Sequence, residues 1–346
     1  MKVLLLSEYR HLEITDAATP TLGSDEVLIR VAACGICGSD VHGYDGSSGR
    51  RIPPIVMGHE AAGTLAAIGS GVSGLAPGDR VTFDSTIYCG GCPSCLRGDI
   101  NLCDRRQVLG VSCTEYRRAG AFAEYVAVPA RIVHRLPESI SFPEAAMLEA
   151  VAVALHAVSL GGALVGSTTL VIGAGTIGLL VLQALRVAGA QRVLVADIDA
   201  TRLNLAKELG ATETLDAKAD LVSRVMNSTG SSGADVAVEA VGRTETVQCA
   251  IDSVRKGGTV ILLGNIAPEV TLPLQKVVTR QIRLQGSCAS AGEYPRAIEL
   301  MAKGAIRVKP MITAVAPLAE GPQWFERLYG REPNLMKVVL TPGSVL

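Results

Sequence analysis

Short apolar stretches separated by turn residues fill the first third of the chain. Gly58, Pro77 and Pro129 are among the residues that interrupt them. Runs of four to eight apolar residues between such breaks are typical of strands. We therefore predict strands over residues 26–33, 61–67, 79–83 and 121–128. Many short strands joined by tight turns indicate an antiparallel, β-rich and barrel-like domain.

The pattern changes after Pro137. Ser141 is placed to cap a helix that has Glu144 in its first turn. From Thr168 onward, strand and helix patterns alternate, which predicts a doubly wound parallel sheet in an α/β domain. The predicted strands are 170–172, 192–196, 234–239, 259–263 and 282–286, and the predicted helices are 176–188 and 200–209.

The last stretch of the chain is predicted to return to the first domain. Residues 293–340 contain the pattern of a helix, a second helix near 320–329, and a closing strand at 337–340. We therefore expect residues 1–150 and 287–346 to form the β-rich domain. Residues 151–286 would form the parallel-sheet domain.

Composition narrows the function classes. The chain has 346 residues, a net charge of −1 and 19% charged residues, with no basic stripe that would indicate nucleic-acid binding. The apolar region 145–190 is broken by Glu149, His156 and glycines, so no membrane span is expected. Only four apolar residues follow Lys2, fewer than a secretory signal needs, so a cytoplasmic location is expected.

Four cysteines lie close together in the sequence. Two-residue gaps let neighbouring thiolates converge on one ion, and tetrahedral zinc accepts four of them. The spacing predicts a closed, structural zinc site at Cys89, Cys92, Cys95 and Cys103. Two disulfides are the alternative, which a reducing compartment disfavours. Cys113, Cys249 and Cys288 are expected to be buried apolar residues.

A glycine-rich loop follows the predicted strand 170–172 and opens a helix. Its sequence, Gly173-Ala-Gly175-Thr176-Ile177-Gly178, has the G-x-G-x-x-G spacing of the Rossmann dinucleotide-binding fold. The first glycine makes the turn, the second admits a pyrophosphate, and the third lets the helix pack on the strand. The helix amides would then bind the phosphates.

The next strand ends at Asp197, 19 residues after Gly178. A carboxylate there would bind both ribose hydroxyls and repel a 2′-phosphate, which predicts NAD rather than NADP. Arg202 lies one helical turn further on, and its positive charge leaves NADP possible as the cofactor. Otherwise Arg202 is a solvated helix residue, or one stacked beside the adenine.

A second set of metal-binding residue types is spread over the first domain. Cys34, Cys37, Ser39, Asp40 and His42 follow the strand 26–33. His59 and Glu60 come next, and Glu149 lies where the first domain meets the second. Taken one at a time, each is more often a core or surface residue than a ligand.

In this order, the motifs resemble those of the zinc-dependent medium-chain dehydrogenases of the alcohol dehydrogenase superfamily. The resemblance covers the whole chain and implies a chaperonin-10-like catalytic domain beside the Rossmann domain. It implies that Cys37 and His59 bind a catalytic zinc, with Glu60 as a ligand or next to one. Ser39 and His42 match the family's proton relay, and Asp40 matches the residue that orients the ligand histidine.

Glu149 is similar to the ligand glutamate of the polyol dehydrogenase branch, although Ala150 replaces the usual proline. The segment 196–211 is similar to sorbitol dehydrogenases, but Ala289 and Ser290 replace an Arg-Tyr pair that contacts the polyol in those enzymes. The resemblance thus implies NAD-dependent oxidation of a secondary alcohol of a polyol to a ketone. It does not carry over sorbitol as the substrate.

Two alternatives remain open at this point. Threonine or a sugar-alcohol phosphate would need an anion site, for which Arg50-Arg51 and Arg117-Arg118 are candidates if they are not solvated loop charges. A dinucleotide-binding protein without catalysis is the other alternative. We expect a small-molecule partner, no nucleic acid or membrane partner, and a homo-oligomer, either dimer or tetramer.

Overall fold

A computed structural model of the chain describes residues 1–112 and 117–343. They form two compact units. The first contains Met1–Glu149, Tyr294–Ala302 and Val308–Leu346, and the second contains Ala150–Glu293 and Lys303–Arg307.

The first unit begins with twelve strands, numbered in chain order. They are β1 (Lys2–Glu8), β2 (His11–Asp16), β3 (Glu26–Gly35), β4 (Ile55–Val56), β5 (Glu60–Ile68), β6 (Arg80–Phe83), β7 (Thr86–Ile87), β8 (Gln107–Val108), β9 (Val111–Ser112), β10 (Arg117–Arg118), β11 (Tyr125–Pro129) and β12 (Val133–Arg135). The helices here are α1 (Gly38–Tyr44), α2 (Pro93–Leu96) and α3 (Phe142–Ala145). A fourth helix, α4 (Leu148–Ser159), begins in the first unit, and its residues from Ala150 onward belong to the second.

The second unit contains the parallel sheet. Its strands are β13 (Thr168–Ile172), β14 (Arg192–Asp197), β15 (Glu213–Asp216), β16 (Ala234–Glu239), β17 (Val254–Leu262) and β18 (Arg283–Gly286). Its helices are α5 (Thr176–Val187), α6 (Ala200–Glu208), α7 (Leu221–Ser228), α8 (Thr244–Ser253) and α9 (Leu274–Thr279). The chain then adds α10 (Tyr294–Ala302), β19 (Ile312–Pro317), α11 (Gly321–Tyr329) and β20 (Lys337–Thr341).

The largest sheet of the first unit has seven strands in the order β12-β6-β5-β3-β20-β19, with β11 also paired to β3. The strands β3 and β5 pair antiparallel, and their register places Gly35 opposite Glu60. The last strand, β20, pairs with the end of β3 through Val339 and Leu340. The closing strand therefore lies in the largest sheet of the first unit.

The second unit is a six-stranded sheet in the order β15-β14-β13-β16-β17-β18, and all of its pairs are parallel. The strand order reverses between β13 and β16, where the carboxyl ends of parallel strands open a crevice. Gly173 lies at the end of β13, at this switch point. The predicted fold class, a β-rich domain with a Rossmann-type parallel sheet, is confirmed.

Two of the local predictions need correction. A strand was predicted over 121–128, but β11 begins only at Tyr125. Phe122 is hydrogen-bonded instead to Leu4 and Met57, outside a regular ladder. Cys288 is exposed rather than buried, because it lies in the loop that follows β18. Cys249 is half-buried, and Cys113 lies outside the described residues.

The packing of the first unit is mostly aliphatic, as the low aromatic content predicts, with a few buried rings. Phe122 and Phe325 meet edge to face at 5.8 Å between ring centroids, which attaches α11 to the core.

One stretch of the described chain, Phe142–Ser159, is long and apolar enough to cross a membrane by length and composition. It spans α3 and α4, has a mean hydropathy of 1.3, and is 56% buried inside the protein. Helices that pack within a core pass the same test. Since Glu144 and Glu149 interrupt this stretch, the expectation that no uninterrupted apolar span exists still describes it.

Candidate functional site

The register of β3 and β5 assembles the first candidate metal centre. Cys37 lies two residues after the end of β3, and His59 and Glu60 lie at the start of β5. One ligand atom from each of these three residues lies within 4.8 Å of the others. His59 and Glu60 are buried, and Cys37 is partly buried. The structure thus brings together three of the predicted ligands.

Asp40 stands behind His59. Its Oδ1 atom lies 3.3 Å from His59 Nδ1 and accepts a hydrogen bond from Arg51 Nη2 at 3.0 Å. Burial would raise the pKa of Asp40, but the His59 imidazole and the Arg51 guanidinium lower it well below its usual range. Burial would lower the pKa of His59, but Asp40 raises it well above its ordinary value. A carboxylate on Nδ1 leaves Nε2 as the nitrogen available to a metal.

Glu60 has a buried cation of its own. Lys337, the first residue of β20, donates from Nζ to Glu60 Oε2 at 2.6 Å and to the carbonyl of Ile36 at 3.2 Å. Burial would lower the pKa of Lys337, but Glu60 and Cys37 raise it. The ammonium is therefore charged and offsets the carboxylate of this predicted ligand.

Glu149 lies near this cluster without joining it. It is the second residue of α4, and its carboxylate is not among the atoms that lie within 4.8 Å of one another. Burial raises the pKa of Glu149 to about 7. The charge of Glu60 raises this pKa further, whereas the charges of His59 and Lys337 lower it. Within the described residues, no arginine forms an ion pair with Glu149.

Ser39 and His42 lie three positions apart on α1, which places them on one side of the helix. Both are exposed. Ser39 Oγ lies 3.5 Å from His59 Nε2 and accepts a hydrogen bond from Arg51 Nη2 at 3.1 Å. The structure thus places Ser39 at the candidate metal centre and His42 on the same side of α1. Cys34, by contrast, is fully buried, and burial raises the pKa of its thiol well above the ordinary value.

The cysteine quartet forms a second centre. The sulfur atoms of Cys89, Cys92, Cys95 and Cys103 all lie within 4.8 Å of one another. The N–H of Gly91 points at Cys89 Sγ at 3.5 Å, and this contact is the largest of several hydrogen bonds that together lower the pKa of Cys89 to about 6. The guanidinium of Arg105 forms a further hydrogen bond with Cys89. These groups stabilise a thiolate, which is the form that binds metal.

The glycine loop has the shape its motif requires. Gly173 has φ of +98°, which a side chain would disfavour. A Cβ on Gly178 would lie 1.8 Å from the Gly173 carbonyl oxygen, whereas a Cβ on Gly175 would meet nothing within 4 Å. No side chain caps α5, which begins with Thr176 and Ile177. The free amides and the open space at Gly175 fit a phosphate group.

Asp197 is the last residue of β14 and is buried. Its Oδ2 accepts the N–H of Ala174 in the glycine loop at 2.6 Å, and its Oδ1 accepts the N–H of Asp199 at 2.9 Å. Arg202 does not face it. The Nε of Arg202 lies 4.0 Å from Asp199 Oδ2 on the exposed surface of α6. The structure therefore joins Asp197 to the loop and leaves Arg202 at the surface.

Three residues near these sites were missed or misread in the sequence. The sequence leaves Arg51 open as an anion-binding residue or a solvated loop charge, but its side chain is only 4% exposed and contacts Ser39 and Asp40. The sequence predicts Lys337 only as the first residue of the closing strand. Glu239 ends β16, is fully buried, and accepts the N–H groups of Val241 and Gly242 at 2.9 Å. A single charged residue within an apolar run was the available signal for Lys337 and Glu239.

The other arginines considered for anion binding are now placed. Arg50 is exposed. Arg117 is exposed and donates to the carbonyl of Pro54 at 3.1 Å. Arg118 is half-buried and forms an ion pair with Glu26 at 2.9 Å. The two pairs therefore do not form one cationic site, since two of the four guanidinium groups already bind carboxylates.

The donor sets of both centres fit zinc. Four thiolates form a closed tetrahedral shell, whereas a thiolate, an imidazole and a carboxylate leave a position open. Asp40 on the far nitrogen of His59 adds the carboxylate–histidine arrangement that is common behind metal-bound histidines.

Comparisons with known proteins agree with this geometry. The alcohol dehydrogenase GroES-like domain family matches residues 23–138, and the zinc-binding dehydrogenase family matches residues 176–303. Sorbitol dehydrogenase of Bacillus subtilis is 33% identical over 99% of this chain and 98% of its own length. D-arabitol-phosphate dehydrogenase of Enterococcus avium is 35% identical over 96% and 94%.

Among solved structures, a zinc-binding dehydrogenase from Sinorhizobium meliloti 1021 with NADP bound superposes with a TM-score of 0.90. It is 35% identical and covers 99% of both chains. Full-length similarity at this level, together with the two family matches, establishes the relationship. The chain belongs to the zinc-binding medium-chain dehydrogenase family, in its polyol dehydrogenase branch.

Proposed function

We propose that this protein is a zinc-dependent oxidoreductase that uses NAD to oxidise a secondary alcohol of a polyol to a ketone. The observation that carries the proposal is the buried cluster of Cys37, His59 and Glu60, backed by Asp40 and Lys337. Polyol dehydrogenases among the full-length relatives support the substrate class. A dinucleotide-binding protein without catalysis would have no need to keep these three residues together.

Cys37, His59 and Glu60 would hold the catalytic zinc, with Glu149 as a further carboxylate beside it. When bound, zinc supplies a Lewis acid that lowers the pKa of an alcohol oxygen toward neutrality. The exposed hydroxyl of Ser39 would accept the alcohol proton as it releases its own, and the cofactor ribose and His42 would pass that proton toward solvent. Asp40 would keep His59 in the tautomer and orientation that leave Nε2 free.

The glycine loop and Asp197 would bind the nicotinamide cofactor, which accepts the hydride. The uncapped amides of α5 and the open space at Gly175 favour the pyrophosphate. The buried carboxylate of Asp197 favours a ribose with free hydroxyls over one with a 2′-phosphate.

The substrate class is tested with the purified protein, NAD and a panel of polyols, sugar-alcohol phosphates and threonine. We expect nicotinamide absorbance to rise with unphosphorylated polyols and to stop rising after chelation. If NAD is reduced only in the presence of the sugar-alcohol phosphates, the substrate is a phosphorylated polyol rather than a free one. If no alcohol in the panel is oxidised, the proposal is wrong.

Two zinc ions per chain are expected, with different lability. The quartet is closed and should resist a chelator, whereas the Cys37 site keeps an open position and should lose its metal first. Elemental analysis during chelation should therefore show two phases, and turnover should end with the first. Cys37→Ser and Cys95→Ser are matched variants that should each remove one ion. Undialysed protein with at most one zinc would contradict the two-site assignment.

Asp197→Gly is expected to shift cofactor preference from NAD toward NADP. The change removes the ribose hydrogen bonds and the repulsion of a 2′-phosphate, so the ratio of kcat/KM values should fall by roughly 10- to 100-fold. Asp216→Asn, at the exposed end of the neighbouring strand β15, is the charge control. An unmodified protein that already prefers NADP would overturn the role given to Asp197.

After removal of the labile metal, Glu149→Gln is expected to stabilise the protein at high pH. The pKa of Glu149 is raised to about 7 from an unfolded value of 4.5. The ionised carboxylate therefore lowers the free energy of unfolding as the pH rises from about 4.5 to above 7, by up to about 3 kcal/mol. The difference in melting temperature should be small near pH 4.5 and largest above pH 7. Glu138→Gln, at an exposed position, should show no such trend, and a pH-independent difference would refute the assignment.

A further inference from the structure

Arg51 is buried where its neighbour in the sequence is not. Only 4% of Arg51 is exposed, whereas the side chain of Arg50 lies at the surface. Burying a guanidinium is costly unless its charge is matched and its N–H groups are bonded. The contacts that offset this cost therefore show what the residue does.

One nitrogen of Arg51 makes both contacts. Its Nη2 donates to Ser39 Oγ at 3.1 Å and to Asp40 Oδ1 at 3.0 Å, so each of its two protons has one acceptor. Asp40 also lies 3.3 Å from His59 Nδ1 and accepts the N–H of Cys37 at 3.2 Å. A single amino group thus connects the hydroxyl at the candidate metal centre to the carboxylate behind its histidine.

The helix α1 has a gap that this side chain fills. A Cβ on Gly43 would lie 2.1 Å from Arg51 Cγ and 2.9 Å from Arg51 Cβ. The aliphatic stem of Arg51 therefore crosses α1 at Gly43, whereas a Cβ on Gly38, the other glycine of this helix, would meet nothing within 4 Å. A glycine inside a helix costs about 1 kcal/mol relative to alanine, so Gly43 is accounted for by the passage of Arg51.

The remaining donors of Arg51 are not all used. Its Nε has no hydrogen-bond partner among the residues that the structure describes. A side chain placed only for stability would gain by bonding this proton, since a buried unpaired donor costs about 1–3 kcal/mol. The conformation instead brings Nη2 to Ser39 and Asp40.

We propose that Arg51 is a positioning residue for the alcohol oxidation, and that Gly43 is the slot that admits it. Because one lone pair of Ser39 Oγ accepts from Arg51, its own proton and second lone pair remain available to a bound alcohol. Because Asp40 accepts from the same nitrogen, its carboxylate is fixed against His59. The inference rests on the proposed function and adds to it a residue that touches neither substrate nor metal.

The test uses the full-length, zinc-loaded protein and its best substrate from the panel. Arg51→Gln is expected to lower kcat by about 10- to 100-fold, the range for residues behind metal ligands. Binding of NADH, measured by fluorescence, and the zinc content should not change. Arg51→Lys should recover part of the loss, because its ammonium keeps the charge but has a shorter reach. Arg50→Gln is the matched control and should match the unmodified protein.

Gly43→Ala supplies a second, independent variant. If the new methyl group acts by displacing Arg51, this variant should show the same loss of kcat as Arg51→Gln. The double variant should then be no worse than Arg51→Gln alone, since both changes remove one interaction. Additive losses, or normal kcat in Gly43→Ala, would overturn the role of the slot.

A readout that does not need turnover comes from cobalt. Replacing only the labile metal by Co²⁺ should give visible bands that shift in Arg51→Gln and stay unchanged in Arg50→Gln, because Asp40 no longer fixes His59. Unshifted bands and unchanged kcat in Arg51→Gln would overturn the proposal. Equal losses of kcat in Arg51→Gln and Arg51→Lys, accompanied by a lower melting temperature, would also overturn it. A higher KM for anionic substrates alone would do the same. If the unmodified protein oxidises no alcohol in the panel, the proposed function is wrong. The shift of the cobalt bands in Arg51→Gln would then still show whether Arg51 positions His59.

Discussion

The candidate catalytic centre depends on the compensation of buried charge. Asp40, in the helix α1, and Glu60, the first residue of β5, are almost completely buried carboxylates. Each is matched by a buried cation, since Arg51 contacts Asp40 and Lys337 contacts Glu60. Removing one partner of such a pair commonly costs 3–5 kcal/mol, because the other charge stays buried. The four residues therefore constrain one another and the geometry of His59 between them.

This compensation also explains why the chain returns to its first unit. Lys337 is the first residue of β20, which pairs with the end of β3 at Cys34 and Gly35. The same strand that completes the sheet thus brings the cation to Glu60, across 277 residues of sequence. The metal centre and the last strand of the unit are parts of one arrangement.

The sequence allowed the fold class and the compact motifs to be predicted, because those features are local. The glycine loop and the cysteine quartet occupy 6 and 15 consecutive positions, and their spacing alone specifies the turn and the ligand set. The strands β3, β5 and β6 were predicted within a few residues, since turn residues bound them. The strand over 121–128 was too long because the bonds that Phe122 makes with Leu4 and Met57 are invisible in a local pattern.

Contacts between distant segments could not be predicted. Arg51 and Arg50 are identical residues side by side, and only the slot at Gly43 makes one of them part of the interior. The partner of Lys337 lies on another strand, and nothing near it in the sequence names Glu60. For Glu149, family resemblance suggested a ligand, and the structure places it beside the cluster rather than within it.

The segment from Cys89 to Cys103 is held mainly by its four sulfur atoms, together with the buried side chains of Ser94 and Asn101. It contains a four-residue helix and one short 3₁₀ turn, and the side chains of Leu96 and Leu102 are 76% and 53% exposed. Helices this short have no stability of their own in water. Most positions between the cysteines are thus free of packing constraints and can drift in evolution without disturbing a core. A lobe of this kind can acquire a new surface, while the cysteines and the turns that aim them stay fixed.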